Sequence, residues 1–591
     1  MRSNVYVYCF LLVSFTVRAQ SPFVPLNADY YHIIDRFEIR QNRWADGFHS
    51  TVKPYNRQSI IQLTDSILAH PGRELSDSDY FNLAYLRNDS WEWVTSNDST
   101  PLDPYTRHLR APAAPGDSRE PILKHFYRKK ADFYNLQTPD IDLHVNPVFN
   151  PGLGFENSGQ PNKQTGTQRL LYVNTRGLEI RGTIGRKLGF YTFFSDTQAA
   201  YPEYVRQYGK VYAGDTAFSA PGEGFVKPFG SSGAVDYLSA RGYITFDILK
   251  VINLQFGHDR NFFGNGFRSL LLSDNSPPSL FLKFTTRLGR RIQYTNLFAS
   301  LQNTQAPLPN GEHLIPQKFT AIHHLSVNLN DHLNLGVFEA EVFSRDRFDI
   351  GYLNPVILYR YVESSQGSAD NALIGLDFKA NFLSQFMVYT QVMIDEFRLK
   401  ALREARGDWT NKFAVQLGAK YIDAFTVPNL DLQVELNLAR PYTYSHEASP
   451  SVSSGQTNYA NYSQPLAHPL GANFLEGLAI VRYQQKRLSA NGIFGLMMCG
   501  ADTAPTINYG GNILKDYNSR YRSEGNYIGQ GRKTVITYLD LRASYMIRHN
   551  IFLEGRYLYR FQASQYRPDQ YTDQVASFGL RWNMPYRNWV F

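Results

Sequence analysis

Cysteine is nearly absent from this 591-residue chain, which has only Cys9 and Cys499. No intrachain disulfide and no cysteine-rich zinc site can hold the mature protein together, so its stability must come from backbone pairing and burial. Long apolar runs are missing too. After Gln20 no stretch approaches the roughly 18 consecutive apolar residues that mark a membrane-crossing helix, and the mean hydropathy is −0.37. That excludes a helical membrane protein. It does not exclude a membrane β-barrel, in which only alternate side chains of each strand meet lipid. Charge of one sign is scarce: 60 Lys and Arg stand against 52 Asp and Glu, with no basic block, which argues against a nucleic-acid partner. A Gly-x-Ser-x-Gly elbow, a glycine-rich phosphate loop, framed catalytic carboxylates and His-x-x-x-His spacing do not occur. The chain therefore reads as a non-enzyme without cofactor or metal. No repeat of 40 to 50 residues supports a secreted propeller or solenoid.

What is present is period two. Leu430-Asp431-Leu432-Gln433-Val434-Glu435-Leu436-Asn437-Leu438 is apolar at every even position and polar at every odd one, and Ile252 to Phe256 and Leu539 to Tyr545 repeat the pattern. Such a strand has one greasy and one wet face. The alternating segments run near ten residues, the length of a tilted bilayer crossing. They are joined alternately by short turns (near 185–187, 249–250, 289–290, 330–331, 381–384, 425–428, 486–487 and 548–549) and by long connections rich in Gly, Pro, Asn, Ser and Tyr (near 199–235, 259–279, 302–318, 346–369, 398–410, 441–474, 500–533 and 563–573). Outer-membrane barrels have short periplasmic turns and longer external loops. From the clear strand at Leu170 to Ile184 there are seventeen strands to the end, an odd number; Ile141, Leu143 and Val145 alternating with Asp142, His144 and Asn146 supply the missing upward strand. The expectation is an all-β, antiparallel transmembrane barrel of about 18 strands over 139–591, with both chain ends periplasmic.

The first twenty residues have one positive charge, a mostly apolar Val5 to Val17 and a small Ala19, the pattern of a secretory signal peptide over 1–20. Residues 21–138 have a different texture. Asp29 to Ile39, Arg57 to Leu68, Ser78 to Leu86 and Ile122 to Tyr134 are helical in pattern, with Asp29 and Ser76 or Ser78 as candidate caps and a Pro/Asp/Ser-rich connector from Asn97 to Glu120. They read as a small helical periplasmic appendage, because a receptor-type plug goes with a barrel of about 22 strands. The last strand, Ala576 to Trp582, is followed by the aromatic Phe591, a pattern consistent with an assembly signal.

Three loop segments are denser in Gly, Asn, Arg and aromatics than a connection requires: His258 to Asn275; Tyr352-Leu353-Asn354-Pro355 with Tyr359, Arg360 and Glu363; and Ala439 to His446 with Gln464 to Asn473. The run Phe263-Gly264-Asn265-Gly266 followed by Ser269-Leu270-Leu271-Leu272-Ser273 resembles the motif of the capsule-assembly outer-membrane lectins, the Wzi-like family. The Tyr-Leu-Asn-Pro and Pro-Leu-Ala-His-Pro-Leu-Gly segments, with Val52 to Arg57, are similar to its gliding-motility, RemB-like branch. The resemblance spans nearly the whole mature chain and implies an eighteen-stranded barrel, closed by inward-folded loops, that holds surface polysaccharide at the outer membrane of a Gram-negative cell. Partners would be outer-membrane lipid or lipopolysaccharide, surface polysaccharide, and other envelope or motility proteins.

Physically, Leu270 to Leu272 in an external loop would be an exposed apolar patch unless the loop folds inward, with Gly264 and Gly266 supplying positive-φ turns. Buried charges among Asp259, Arg260, Arg268, Asp274, Arg360 and Glu363 would then have to pair. The ligand candidates are Asp259, Arg260, Asn261, Arg268, Asp274, Tyr352, Asn354, Tyr359, Arg360, Glu363, Tyr442, Tyr444, His468 and Asn473, because aromatic faces and forked donors suit sugars and acidic groups. A substrate-specific porin is the alternative, with the inward loops as its constriction; an outer-membrane hydrolase is a third.

Overall fold

In the computed structural model, which describes residues 21–94, 126–159, 167–213, 220–230, 233–304, 314–345, 349–356, 358–366, 370–447, 457–566 and 569–591, the alternating segments form one closed barrel. Its wall is eighteen antiparallel strands: β1 (Ile141–Gly159), β2 (Thr167–Ile184), β3 (Leu188–Ala200), β4 (Ala234–Leu249), β5 (Ile252–Asp259), β6 (Ser279–Leu288), β7 (Ile292–Gln302), β8 (Gln317–Asn328), β9 (Leu333–Phe343), β10 (Asn371–Phe382), β11 (Phe386–Glu396), β12 (Lys412–Tyr421), β13 (Leu430–Ala439), β14 (Phe474–Gln485), β15 (Leu488–Ala501), β16 (Arg532–Arg548), β17 (Ile551–Ser564) and β18 (Tyr571–Trp582). Each pairs with its neighbour in sequence, and β18 closes on β1. The strand count and the turn positions match the period-two reading.

The faces are inverted relative to a soluble sheet. On β13, Val434 and Leu436 are 55% and 42% exposed, while Glu435 and Asn437 are 3% and 0% exposed. Apolar side chains face outward, as a lipid-facing wall requires, and polar ones face a filled interior.

The filling comes from three places. The first is the N-terminal segment, which the sequence reading placed outside as an appendage and which the structure packs into the short-turn end. Its helices are α1 (Ala28–Gln41), α2 (Arg57–Ala69) and α3 (Asp77–Asp89). Asn27, not Asp29, caps α1, and Ser76 forms a capping box with Asp79 on α3. Asp29 is spent on the wall, where it pairs with Arg542 and Arg581. Arg36 binds Asp79, Asp423 and Asp431; Arg40 reaches Asp79 and Asp423; Lys420 binds Asp35 at 2.6 Å. Inward carboxylates at Asp423 and Asp431 are costly to bury without a cation, and α1 supplies two. The fourth expected helix, from Ile122, is not formed over residues 126–133, and Tyr134–Gln137 is a short strand paired with β1. The signal segment and the connector from Asn97 lie outside the described residues.

The second filling is the long-loop end, including α4 (Glu203–Ala213), whose Tyr204, Val205 and Tyr208 pack against Ile480, Ile493, Ile536 and Leu558 of the inner wall. The third is the C-terminal tail. After β18 ends at Trp582 the chain turns back into the lumen: the Tyr586 carbonyl accepts from the Ala28 N–H at 3.2 Å, the Trp589 carbonyl from the hydroxyls of Tyr204 and Tyr538, and the Phe591 ring stacks on Tyr208 at 4.0 Å. Phe591 is thus an interior residue, and it does not end a strand.

Candidate functional site

The loop between β5 and β6 descends to mid-barrel and meets the N-terminal segment. Val52–Lys53 pairs with Phe262–Phe263, and the Gly264 N–H donates to the Thr51 carbonyl at 2.7 Å. Leu270 and Leu271 are fully buried in the main interior cluster with Phe263, Ile322, Phe338 and Phe474. Hydroxyls staple the backbone there: Tyr444 donates to the Leu270 carbonyl and Tyr459 to that of Leu271, each at 2.8 Å. Gly264 and Gly266 are needed for space, since neither is among the positive-φ glycines. A Cβ on Gly266 would lie 2.5 Å from a Glu435 oxygen, and one on Gly264 would lie 2.8 Å from the Gln391 amide. The turn-making role expected of them is corrected to one of close approach.

The charged candidates of this loop are mostly consumed by the plug. Asp259 accepts from the Arg260 backbone N–H at 2.8 Å; Arg260 binds Glu223 and the Ser276 carbonyl; Asn261 accepts from Lys283 at 2.8 Å. Arg268 forks onto Glu476 (3.2 and 2.8 Å) and reaches the Val590 carbonyl, while Glu435 accepts the backbone N–H groups of Phe267 and Arg268. Asp274 is half-buried, and its carbonyl accepts from Arg587 at 2.7 Å.

The third motif locks the long-loop end. The Tyr442 hydroxyl donates to the Asn508 carbonyl, and Asn473 donates to the carbonyls of Gly500 and Gln530 while accepting from the Gly529 N–H. His468 lies fully buried against Phe474, with Nε2 2.7 Å from Glu476. Burial pushes its pKa down against the pull of Glu476. Among the described residues no group of three His, Cys, Asp or Glu is arranged to hold a metal ion.

The second motif is elsewhere. The sequence reading grouped Tyr352, Asn354, Tyr359, Arg360 and Glu363 with the inward loops; the structure lays this segment, with α5 (Tyr359–Gln366), on the outer face of β7 to β9. Tyr352 stacks on Phe343 at 4.4 Å and Tyr359 on His323 at 3.9 Å. Phe343 and His323 have the outward parity of the exposed Val337 and Leu325. The Tyr294 hydroxyl donates to the Pro355 carbonyl at 2.6 Å, and the Tyr352 hydroxyl to Asp370 at 2.8 Å. Asn354 caps the Val356 N–H, and the exposed Arg360 pairs with the buried Glu363. These five residues therefore do not join Arg268 or His468 in one site.

The face that stays open at the long-loop end was not singled out from sequence. The loop carrying α6 (Leu399–Arg403) is tied to the β15–β16 loop by backbone bonds, Trp409 N–H to the Ser523 carbonyl at 3.0 Å and Gly525 N–H to the Arg406 carbonyl at 2.7 Å. On that platform the Arg520 guanidinium lies 4.3 Å over Trp409, Arg522 lies 5.5 Å from Tyr527, and Arg532 lies 4.5 Å over Tyr566. Tyr521, Tyr527 and Tyr566 are exposed. Upright aromatic faces beside guanidinium forks can stack sugar rings and bind acidic substituents. The signal was present in Tyr517 to Tyr527, with three tyrosines and two arginines in eleven residues.

A filled 18-stranded barrel with helices in one end defines a class of fold known from bacterial outer-membrane proteins. No family model and no curated protein matches the sequence. Among solved structures the chain is similar to Wzi, an outer-membrane protein involved in group 1 capsule assembly in Escherichia coli and described as a carbohydrate-binding β-barrel, with TM-score 0.53 and 12% identity over 96% of this chain and 100% of that one. It also aligns with the outer-membrane protein OprD of Pseudomonas aeruginosa (TM-score 0.37, 9% identity, 74% and 94% covered) and with OccK9 of the same organism (0.40, 11%, 74% and 97%).

Proposed function

We propose that this protein is a non-enzymatic outer-membrane barrel that binds or organises surface polysaccharide at its long-loop face, with the short turns toward the periplasm. The observation that carries the reading is the filled interior: helices, the β5–β6 loop and the C-terminal tail occupy the lumen and hydrogen-bond to one another. A barrel filled this way suits presentation of an outer surface better than passage through a pore. The full-length overlap with a carbohydrate-binding barrel is consistent with it. The resemblance of the Tyr-Leu-Asn-Pro and Pro-Leu-Ala-His-Pro-Leu-Gly segments to a gliding-motility branch extends the candidate ligands to polymers that a gliding cell carries on its surface.

The test is retention of capsular or secreted polysaccharide by purified protein and by intact cells, comparing wild type with Tyr521→Ala/Tyr527→Ala and Trp409→Ala. The proposal expects a folded barrel that loses most of its retained polymer. Equal retention by wild type and variants would move the site away from this face, and no retention by any of them would remove the polysaccharide reading.

A further inference from the structure

Arg241 is a buried guanidinium without an acceptor. It points inward from β4 and is 7% exposed, its Nε is sealed and unpartnered, and among the described residues it donates no hydrogen bond. Its contact is the face of Phe193, 4.1 Å away. The arginines around it are engaged: Arg260 with Glu223, Arg587 with the Asp274 carbonyl, Arg556 with Asp540, and Arg542 and Arg581 with Asp29 and Glu554. Among the described residues no carboxylate lies within ion-pair distance of Arg241, and none accepts a hydrogen bond from it. A guanidinium has five donors; the Nε donor is sealed without a partner, a cost that a ligand taking the remaining donors would offset.

Arg241 lines a cavity of about 270 Å³ between the inner wall and the C-terminal tail. Six arginines and two glutamates line it, with Tyr201, Tyr204, Tyr237 and Trp589 as aromatic wall. At about 30 Å³ per water it is roughly the space of nine waters, or of one sugar ring. We propose that this cavity is an anion site, in which the Arg241 fork binds the oxygens of a carboxylate or phosphate on a sugar-sized ligand while the tyrosine and tryptophan faces flank its ring. The site is within the lumen and is independent of the polysaccharide reading of the outer face.

The experiment is calorimetric titration of the full-length, detergent-solubilised barrel with glucuronate, inorganic phosphate and glucose, repeated on Arg241→Gln and Arg241→Lys. Saturable binding of at least one anion, none of glucose, and about tenfold or greater weakening in Arg241→Gln is expected, the range for hydrogen bonds to a charged group. Arg241→Lys keeps the charge but not the fork and should be weakened as well, which covers the case in which Arg241→Gln does not fold. Binding of glucuronate alone assigns a uronate, and binding of phosphate alone a phosphate-bearing ligand. No saturable anion binding, or equal binding by a folded Arg241 variant, overturns the proposal. Polymer retention by the same variants stays at wild-type level, so failure here is separable from failure at the outer face.

Discussion

At the scale of single residues, the interior is governed by what happens to polar groups removed from water. Arg268 and Glu476 illustrate the constraint: the fork, the His468 ring and the Val590 carbonyl saturate one another, and removing one member strands the rest, which in buried pairs costs about 3–5 kcal/mol. His446 lies in the long-loop end, outside the strands, with Nδ1 2.8 Å from the Thr457 hydroxyl. Burial, and then the nearby Lys412 charge, lower its pKa from 6.5 to about 3. Because the folded value is below the unfolded one, protonation favours the unfolded loop. The stabilisation is complete above about pH 6.5 and is lost as pH falls toward 3. Hydrogen-exchange protection factors across residues 440–447 and 457–473, taken relative to the intrinsic rate at each pH, should fall over that window, and His446→Gln should flatten the dependence. A profile that is the same in both proteins would contradict the assignment.

At the scale of elements, period two determined strand positions and faces, because lipid on one side and a polar filling on the other impose opposite chemistry on alternate residues. It could not say where the long loops go, since an inward plug and an outward flap both need buried aromatics. The location of the Tyr352 segment was nevertheless encoded in the wall beneath it. On β9 the outward column reads Leu335, Val337, Glu339, Glu341, so the greasy face turns acidic halfway up, next to His323 and Asn296 of equal parity. Among the described residues neither Glu341 carboxylate oxygen has a partner, and Glu339 accepts the Arg360 backbone N–H at 3.3 Å. Residues 349–356 and 358–366 cover carboxylates that would otherwise face hydrocarbon. Replacing that segment with a short Gly-Ser bridge should lower the yield of folded, heat-modifiable barrel by exposing them, at a cost for carboxylates below the roughly 2–4 kcal/mol of a basic residue at mid-bilayer. Adding Glu339→Leu and Glu341→Leu to the deletion should restore folding, and failure of that rescue would show that the flap has another task.

At the scale of the whole molecule, the lumen is closed by segments distant in sequence: α1 to α3 from one end, the β5–β6 loop and α4 from the other, and the tail between them. The C-terminal tail was the least legible of these, because Phe591 reads as an assembly signal after the last strand; the inward Arg268 and Arg560, the hydroxyls of Tyr204 and Tyr538 and the Ala28 N–H give its carbonyls donors. The ladder between Val52–Lys53 and Phe262–Phe263 joins the two plugs where each would otherwise leave backbone groups unpaired in the interior. In a planar bilayer the intact protein should show no steady conductance. Replacing residues 264–275 with a flexible linker removes Leu270 and Leu271 from the core, the two backbone donors to Glu435 and the Arg268 fork from Glu476 together. The freed inward carboxylates of Glu435 and Glu476 should then hydrate and a cation-preferring current appear, because negative groups lining a wet constriction favour cations. A steady current through the unmodified barrel would instead support the porin alternative, with the plug acting as a constriction.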